Sequence, residues 1–465
     1  MATTKLTRTE TAGNRQIWTF SAWVKRGTIT TTDGQYLFSS SDGSNNYNYL
    51  QINPSDQLRY LDYTSGNNSN KITTQLFRDC GGYYHIVCAV DTTDGVAEDR
   101  VKLYVNGERI TAFGTNVNHG ASDNTEMNVN TYTMSIGSDQ TSGGGQYWVG
   151  LMSNVAFVDG TALSPTSFGE TDSTSGIWKY KAPGGGITWG TNGFWLKGEN
   201  SAALGTDSSG ETNTLTTSGS PTQSIDTPSN VYCTFNSLDN IFNDKMIFSN
   251  ANNTVNTYST GSSVSQPVLG NMGVSKGKWY WETKWVSHSR AGTGEFSLIG
   301  ITSRIRYSNS GYQHLGATSD DYAYYGYNGN LMNNTGSSNT GTAYGNTYTT
   351  GDIIGVAMDL DNNKLYFSKN GTWQDSGDPT SGASGTGAVS ITEAADTPDR
   401  VYYAGVSDYH YAPSYVFSNN FGAGYFGTTA VSSAGTSSTD DDSIWEYDCP
   451  TGYYGLNTKN INTYG

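Results

Sequence analysis

The sequence predicts an all-β chain of two tandem β-sandwich (jelly-roll) domains joined by an extended polar linker. Three observations carry this. Apolar and polar residues alternate with a period of two, the period of a strand rather than of a helix. Short strand-like runs bounded by Gly, Asn, Asp or Ser recur every ~8–12 residues, the spacing of a sandwich or barrel. The composition, with 33 Tyr and 57 Gly, suits strands and tight turns. A length of 465 residues exceeds one ordinary domain and allows two or three, each with its own core.

The elements follow in order. QIWTFSAWVKR (16–26) puts Ile17, Thr19, Ser21 and Trp23 on one face and Trp18, Phe20, Ala22 and Val24 on the other. Both faces carry apolar bulk, as an inner strand of a two-sheet stack requires. QYLFSS (35–40), YNYLQIN (47–53) and LRYLDY (58–63) come next, then YYHIVCAVD (83–91), the strongest inner strand of the first half. RVKLYVNGERI (100–110) is a hairpin: Val101, Leu103 and Val105 share a face, and Asn106-Gly107 supply the positive φ of a type I′ turn. MSIGSD (134–139), QYWVGLMSNVAFVDGTAL (146–163) and GFWLKGEN (193–200) complete the first set. No stretch shows helical periodicity. One short turn is expected at LSPTSFGE (163–170), where Ser-Pro opens a helix.

Residues 201–240 are polar and small and predict the linker, pinned by Leu204 and Leu215. CTFNSLDN (233–240) leads into the second domain. There KWYWETKWV (278–286), FSLIGIT (296–302), YAYYGYNG (322–329), DIIGVAMDLDNNKLYFSKNGTW (352–373), RVYYAGVSDY (400–409) and SYVFSNNFG (414–422) are all strand-like. KLYFSKNG (364–371) repeats the logic of KLYVNG (102–107): an alternating strand, then an Asn-Gly turn. The expected boundaries are 1–200, a linker at 201–240, 241–425, and a tail at 426–465 that includes DDDSIWEYD (440–448), a segment read as docking onto a partner.

Hydrophobic residues make up 35% of the chain, below the globular norm of roughly 45–50%. Disorder does not follow, because 13% of the residues are aromatic and disordered segments are poor in aromatics. The net charge is −16, from 25 basic and 41 acidic residues. With no basic cluster to neutralise phosphates, a nucleic-acid partner is not expected. The N-terminus MATTKLTRTE has no apolar stretch, and no apolar run reaches the length of a membrane span. A soluble chain made in a cytoplasm without a signal peptide is the expectation. Cys80, Cys88, Cys233 and Cys449 show no zinc-ligand spacing and are expected to be reduced, mostly buried thiols.

Four segments of the first half, WTFSAWVKRG (18–27), YYHIVCAVD (83–91), RVKLYVNGERI (100–110) and MSNVAFVDGTALSP (152–165), resemble a laminin-G/concanavalin A-like jelly roll. GKWYWE (277–282), IGIT (299–302), YGYNG (325–329), GDIIGVAMDLDNNKLYFSKNG (351–371) and YYAGVS (402–407) resemble a SPRY domain, a bent sandwich that binds proteins or peptides through loops at one edge. The stretches 204–230, YCTFNSLD (232–239) and CPTGYYGLNTKNI (449–461) resemble linker and tail segments of marine bacteriophage structural proteins. That resemblance implies a virion surface protein (tail fibre, spike or capsid decoration) that binds host-surface glycan or a neighbouring virion protein. It also implies a homo-oligomer, commonly a trimer. A glycan-cleaving depolymerase of the concanavalin fold is the alternative.

No catalytic centre is expected. Jelly-roll glycosidases set paired carboxylates on alternate residues of one strand, and no E-x-D-x-E variant occurs. Asp359 and Asp361 share a face but sit at a turn with Asn362 and Asn363, as turn residues or cation ligands. His85, His119, His288, His314 and His410 are scattered. Laminin-G-like domains can carry calcium at a rim loop, which makes Asp91, Asp94, Glu98 and Asp99 the candidate calcium ligands. Aromatic side chains offer flat contact surface for sugars or proteins. The candidate ligand-binding residues are therefore Tyr409, His410 and Tyr411 in HYAPSY, Tyr322 and Tyr324 in the tyrosine-dense strand, and Trp373 after the second Asn-Gly turn. Packing within a Tyr-rich sandwich is the competing reading for all of them.

Overall fold

The computed structural model describes the chain except residues 1–3, 30–31, 141–144, 239–245, 258–266, 290–295, 306–313, 337, 339, 410–413, 433, 438 and 441. It divides into two compact units, residues 1–223 with 227–229, and residues 224–226 with 230–465. In both, the regular elements are almost all β-strands.

The first unit has an eight-stranded and a six-stranded antiparallel sheet that share one core. Ile17–Arg26 lies at the centre of the six-stranded sheet, between Gly150–Asp159 and Tyr84–Asp91. Its Trp18, Phe20, Ala22 and Val24 point into the core against Phe38, Leu50 and Tyr60 of the other sheet. The opposite face is buried as well. Trp23 stacks on His85 at 4.6 Å, and the Thr19 hydroxyl holds the Thr161 carbonyl and the Leu163 amide. A second cluster, of Val87, Ala156, Val158, Phe168 and Trp189, fills that side. The covering segment, residues 161–195, is mostly irregular. Its expected helical turn is the single 3-10 turn Pro165–Ser167.

The first Asn-Gly hairpin forms as expected. Asn106 and Gly107 have φ of 49° and 85°, and Tyr104 and Val105 pair with Arg109 and Glu108. Glycine is required twice over at 107, since a Cβ there would meet the Trp178 ring at 2.6 Å.

The linker expectation is corrected. Most of 201–229 belongs to the first unit. The Asp207 carboxylate accepts from the amides of Trp195, Ser209 and Asn213, Leu215 is buried, and Thr216–Ser218 pairs with Lys5–Thr9 at the edge of the eight-stranded sheet. One Asp and one Leu fix a segment whose composition reads as loose, because a carboxylate that accepts several amides replaces the missing apolar burial. From Asn230 the chain belongs to the second unit, with Tyr232, Cys233 and Phe235 buried.

The second unit has a nine-stranded sheet and a six-stranded sheet around a core of Trp279, Trp281, Trp285, Leu298, Ile301, Tyr324, Val356, Phe367 and Phe417. Lys278–His288 is its central strand, paired with Ile353–Asp359 and Tyr415–Asn420. The alternate residues Tyr280 and Glu282 face away from that core, and here a second correction applies. The tail does not wait for a partner. Trp445, fully buried, meets Tyr280 at 4.9 Å, and with Ala357, Tyr366, Cys449 and Tyr453 it closes the outer face of the sheet. The Glu282 carboxylate, pushed up to about 7 by burial, accepts from the amides of Glu446 (2.9 Å) and Tyr447 (2.8 Å) and from the Asn420 side chain (3.1 Å). Tyr454–Gly455 adds a short parallel strand beside Trp279 and Tyr280. The chain then ends in the helix Thr458–Tyr464, N-capped by Asn457. Seven residues are too few for a periodic apolar stripe, so this helix leaves no helical signal in the sequence.

Candidate functional site

The expected ligand-binding residues do not converge on one place. Tyr322 and Tyr324 are buried, so their reading as contact residues is corrected. The Tyr322 hydroxyl meets Thr392 Oγ1 at 3.2 Å and accepts from the Thr392 amide. Tyr324 donates to the Asn346 carbonyl and packs on Tyr348 and Phe367. Alternation placed them correctly on one face of Asp321–Tyr325, but both faces of that strand are covered.

The exposed aromatic of this region is Tyr327, just past the strand. It is 48% exposed and stacks on Phe296 at 5.3 Å with the rings 19° apart. Phe296 in turn touches Tyr409 at 6.3 Å, and Tyr409 packs on His314 at 4.7 Å and on Tyr325 at 5.9 Å. Tyr409 is thus the half-buried support of an aromatic ledge whose outermost ring is Tyr327. His410 and Tyr411 lie outside the described residues. Sequence reasoning saw the tyrosines of YGYNG. It missed Phe296, whose position at the head of FSLIGIT gives no sign of its exposed neighbour.

Trp373 stands elsewhere. It belongs to the cluster under the tail, edge-on to Tyr280 (6.4 Å) and Tyr366 (6.5 Å).

The acidic loop of the first unit does not gather a cation site. Asp91 caps the Thr93 amide and hydroxyl, Asp94 takes the Val96 amide and Lys102 (3.3 Å), and Asp99 pairs with Arg109. Among the described residues no three His, Cys, Asp or Glu side chains converge as metal ligands. The structure thus does not bring Asp91, Asp94, Glu98 and Asp99 together: Asp91, Asp94 and Asp99 are each engaged by separate amides or cations.

The remaining ionisable groups hold structure. Asp359 is buried, pairs with Lys278 at 2.8 Å and caps the amides of Asp361 and Asn362, while Asp361 accepts from the Gly277 amide. His85 lies between Trp23 and Trp178, with Nδ1 accepting from the Trp178 indole at 3.0 Å, and burial drops its pKa to about 3. His119, hydrogen-bonded to Tyr60, falls to about 4 for the same reason. Both imidazoles are neutral near pH 7. All four cysteines are buried thiols outside any disulfide, and burial pushes the Cys88 and Cys449 thiols upward. No helix among the described residues is long and apolar enough to cross a membrane.

Two classes of domain account for these units. Residues 2–167 match the concanavalin A-like lectin/glucanases superfamily, and residues 278–392 match the SPRY domain. The chain thus carries a laminin-G/concanavalin-like domain and a SPRY domain in tandem. Among curated proteins it is similar to a Ran-binding proteins 9/10 homolog of Drosophila melanogaster, 35% identical over 97 residues, which is 21% of this chain and 9% of that protein. It is also similar to Ran-binding protein 9 of Homo sapiens, 37% identical over 95 residues, 20% of this chain and 12% of that protein. The chain therefore matches only about a tenth of the length of these relatives. Among solved structures, the SPRY domain of human HERC1 aligns at 22% identity and a TM-score of 0.26, over 36% of this chain and 86% of that one.

Proposed function

We propose that the chain is a non-enzymatic binding protein whose SPRY unit grips a protein partner on the ledge of Tyr327, Phe296 and Tyr409. The observation that carries this is Tyr327, a large aromatic left 48% exposed on a ring stack. A rigid aromatic with a buried support loses little entropy on binding and supplies contact area. Similarity to proteins named for binding Ran supports a protein partner for this kind of unit. A pull-down with the full chain and its Tyr327→Ala variant tests it. The variant loses the partner while keeping its melting temperature. Equal capture by both forms would refute the ledge.

The finer reading places this protein on the surface of a bacterial virus particle as fibre, spike or decoration, assembled as a trimer, with host glycan or a neighbouring virion protein as partner. It is supported by the resemblance of the stretches 204–230, 232–239 and 449–461 to segments of marine bacteriophage structural proteins. Electron-microscopic localisation on intact particles, with light scattering of the purified chain, tests it. Density on the particle and a threefold mass are expected; a monomer at every concentration counts against it. The depolymerase alternative requires release of reducing ends from polysaccharide.

A further inference from the structure

The tail does more than cover the sheet. Beside Trp373 it leaves a cleft of about 440 Å³, walled on one side by Trp373 and residues 377–380 and on the other by Thr436 and residues 448–451. Trp373, Asp378, Pro379, Thr436, Asp448 and Pro450 line it. The second wall lies beyond the stretch that matches the SPRY domain, so the cleft is a property of this chain's own tail. We propose that this cleft is a binding site for a neutral saccharide.

Three features point to that chemistry. The first is the indole. Trp373 is partly exposed while Tyr280 and Tyr366 fix it edge-on from behind, which makes a supported flat platform of the kind a sugar ring stacks on. The second is the polar lining. Oδ1 of Asp378 holds the Thr380 amide and hydroxyl, and Oδ1 of Asp448 holds the Thr436 amide and hydroxyl at 2.7 Å each. The other oxygen of each carboxylate carries no hydrogen bond among the described residues. Both are acceptors for hydroxyl donors. The Thr436 bonds hold the Asp448 carboxyl below its usual range, so it is ionised at neutral pH. The lining residues include no Lys or Arg, and two carboxylates repel an acidic ligand. A hydroxyl-rich uncharged ligand suits the stacking platform and these acceptors together, in a cleft within the size range of small-ligand sites.

The third is rigidity. Asp375 and Ser376, next to the platform, both hold left-handed backbone, with φ of 51° and 54°. Two consecutive non-glycine residues in that region are costly and persist only where the surroundings impose them, a pattern that clusters at ligand sites. The Tyr453 hydroxyl donates to the Pro379 carbonyl at 3.0 Å and ties the two walls together.

The test is calorimetric titration of the full chain with neutral malto-, cello-, manno- and galacto-oligosaccharides. At least one is bound. Trp373→Ala weakens that binding about tenfold or more, Asp448→Asn weakens it while still able to cap Thr436, and Tyr327→Ala leaves it unchanged. Trp373→Phe, which keeps an aromatic ring in the cluster, retains partial affinity and serves as the folding control. No binding by the wild type, equal affinity in Trp373→Ala, or capture of a proline-rich peptide in place of the sugars would each overturn the proposal. Since Tyr327→Ala separates the two sites, loss of the partner ledge and loss of the saccharide cleft are told apart.

Discussion

Replacing Glu282 with glutamine should make the second unit less sensitive to pH. The carboxylate is buried between the central strand and the tail, accepts two tail amides, and titrates at about 7 because burial disfavours its charge. The folded-state value lies above the ordinary one, so the folded chain holds a proton that the unfolded chain has lost. Stability from this group is fully present below about pH 4.5 and declines as pH rises to about 7. At about 1.4 kcal/mol per tenfold change in proton affinity, the decline is about 3 kcal/mol. The uncharged amide of the variant would carry no such slope. Urea unfolding of the wild type and Glu282→Gln at pH 5 and pH 8, following the transition of the second unit, measures it. The wild type should lose about 2.5 kcal/mol more than the variant between the two conditions, most of the full decline. Parallel losses would mean that the carboxyl titrates at its ordinary value, and the account of the clamp would be wrong.

Trp445→Ala should destabilise the second unit by about 3–5 kcal/mol, since it empties the centre of the outer cluster; the loss appears as a lower denaturation midpoint with an altered near-ultraviolet circular dichroism band. Gly107→Ala should cost about 1–3 kcal/mol, more than a typical surface change, because the new methyl meets both a left-handed backbone and the Trp178 ring; thermal unfolding of the first unit reads it. The four thiols should react with a thiol-specific dye only as fast as the units open, since all are buried. Prompt titration of even one thiol in the native protein would contradict that burial.

The strands and both Asn-Gly hairpins were legible because their signals are local. Asn370 and Gly371 (φ 48° and 79°) repeat in the second unit what Asn106 and Gly107 do in the first. What covers each sheet was not legible. The covers of residues 161–195 and 442–456 show no period in the sequence and are held by a few buried aromatics and by contacts such as Thr19 to Thr161 and Glu282 to two amides. Such contacts join residues far apart in sequence, and composition there reads as loop. The same gap explains the candidate site. Alternation assigned Tyr322 and Tyr324 to one face, but only the cover decides exposure, and the open ring proved to be Tyr327. Trp373 was found by its turn, while its partners Asp448 and Pro450 come from a segment read as separate.

The late position of the cover has a consequence during synthesis. All the antiparallel strands of the nine-stranded sheet are made once Asn420 is, yet Trp445, Tyr453 and the short parallel strand Tyr454–Gly455 come later. At ~5–20 residues per second, a ribosome needs roughly two to seven seconds to add the stretch from 421 to 456. Through that interval the nascent sheet shows water a bare patch of Tyr280, Ala357 and Tyr366, the kind of surface that chaperones hold and neighbouring nascent chains adhere to.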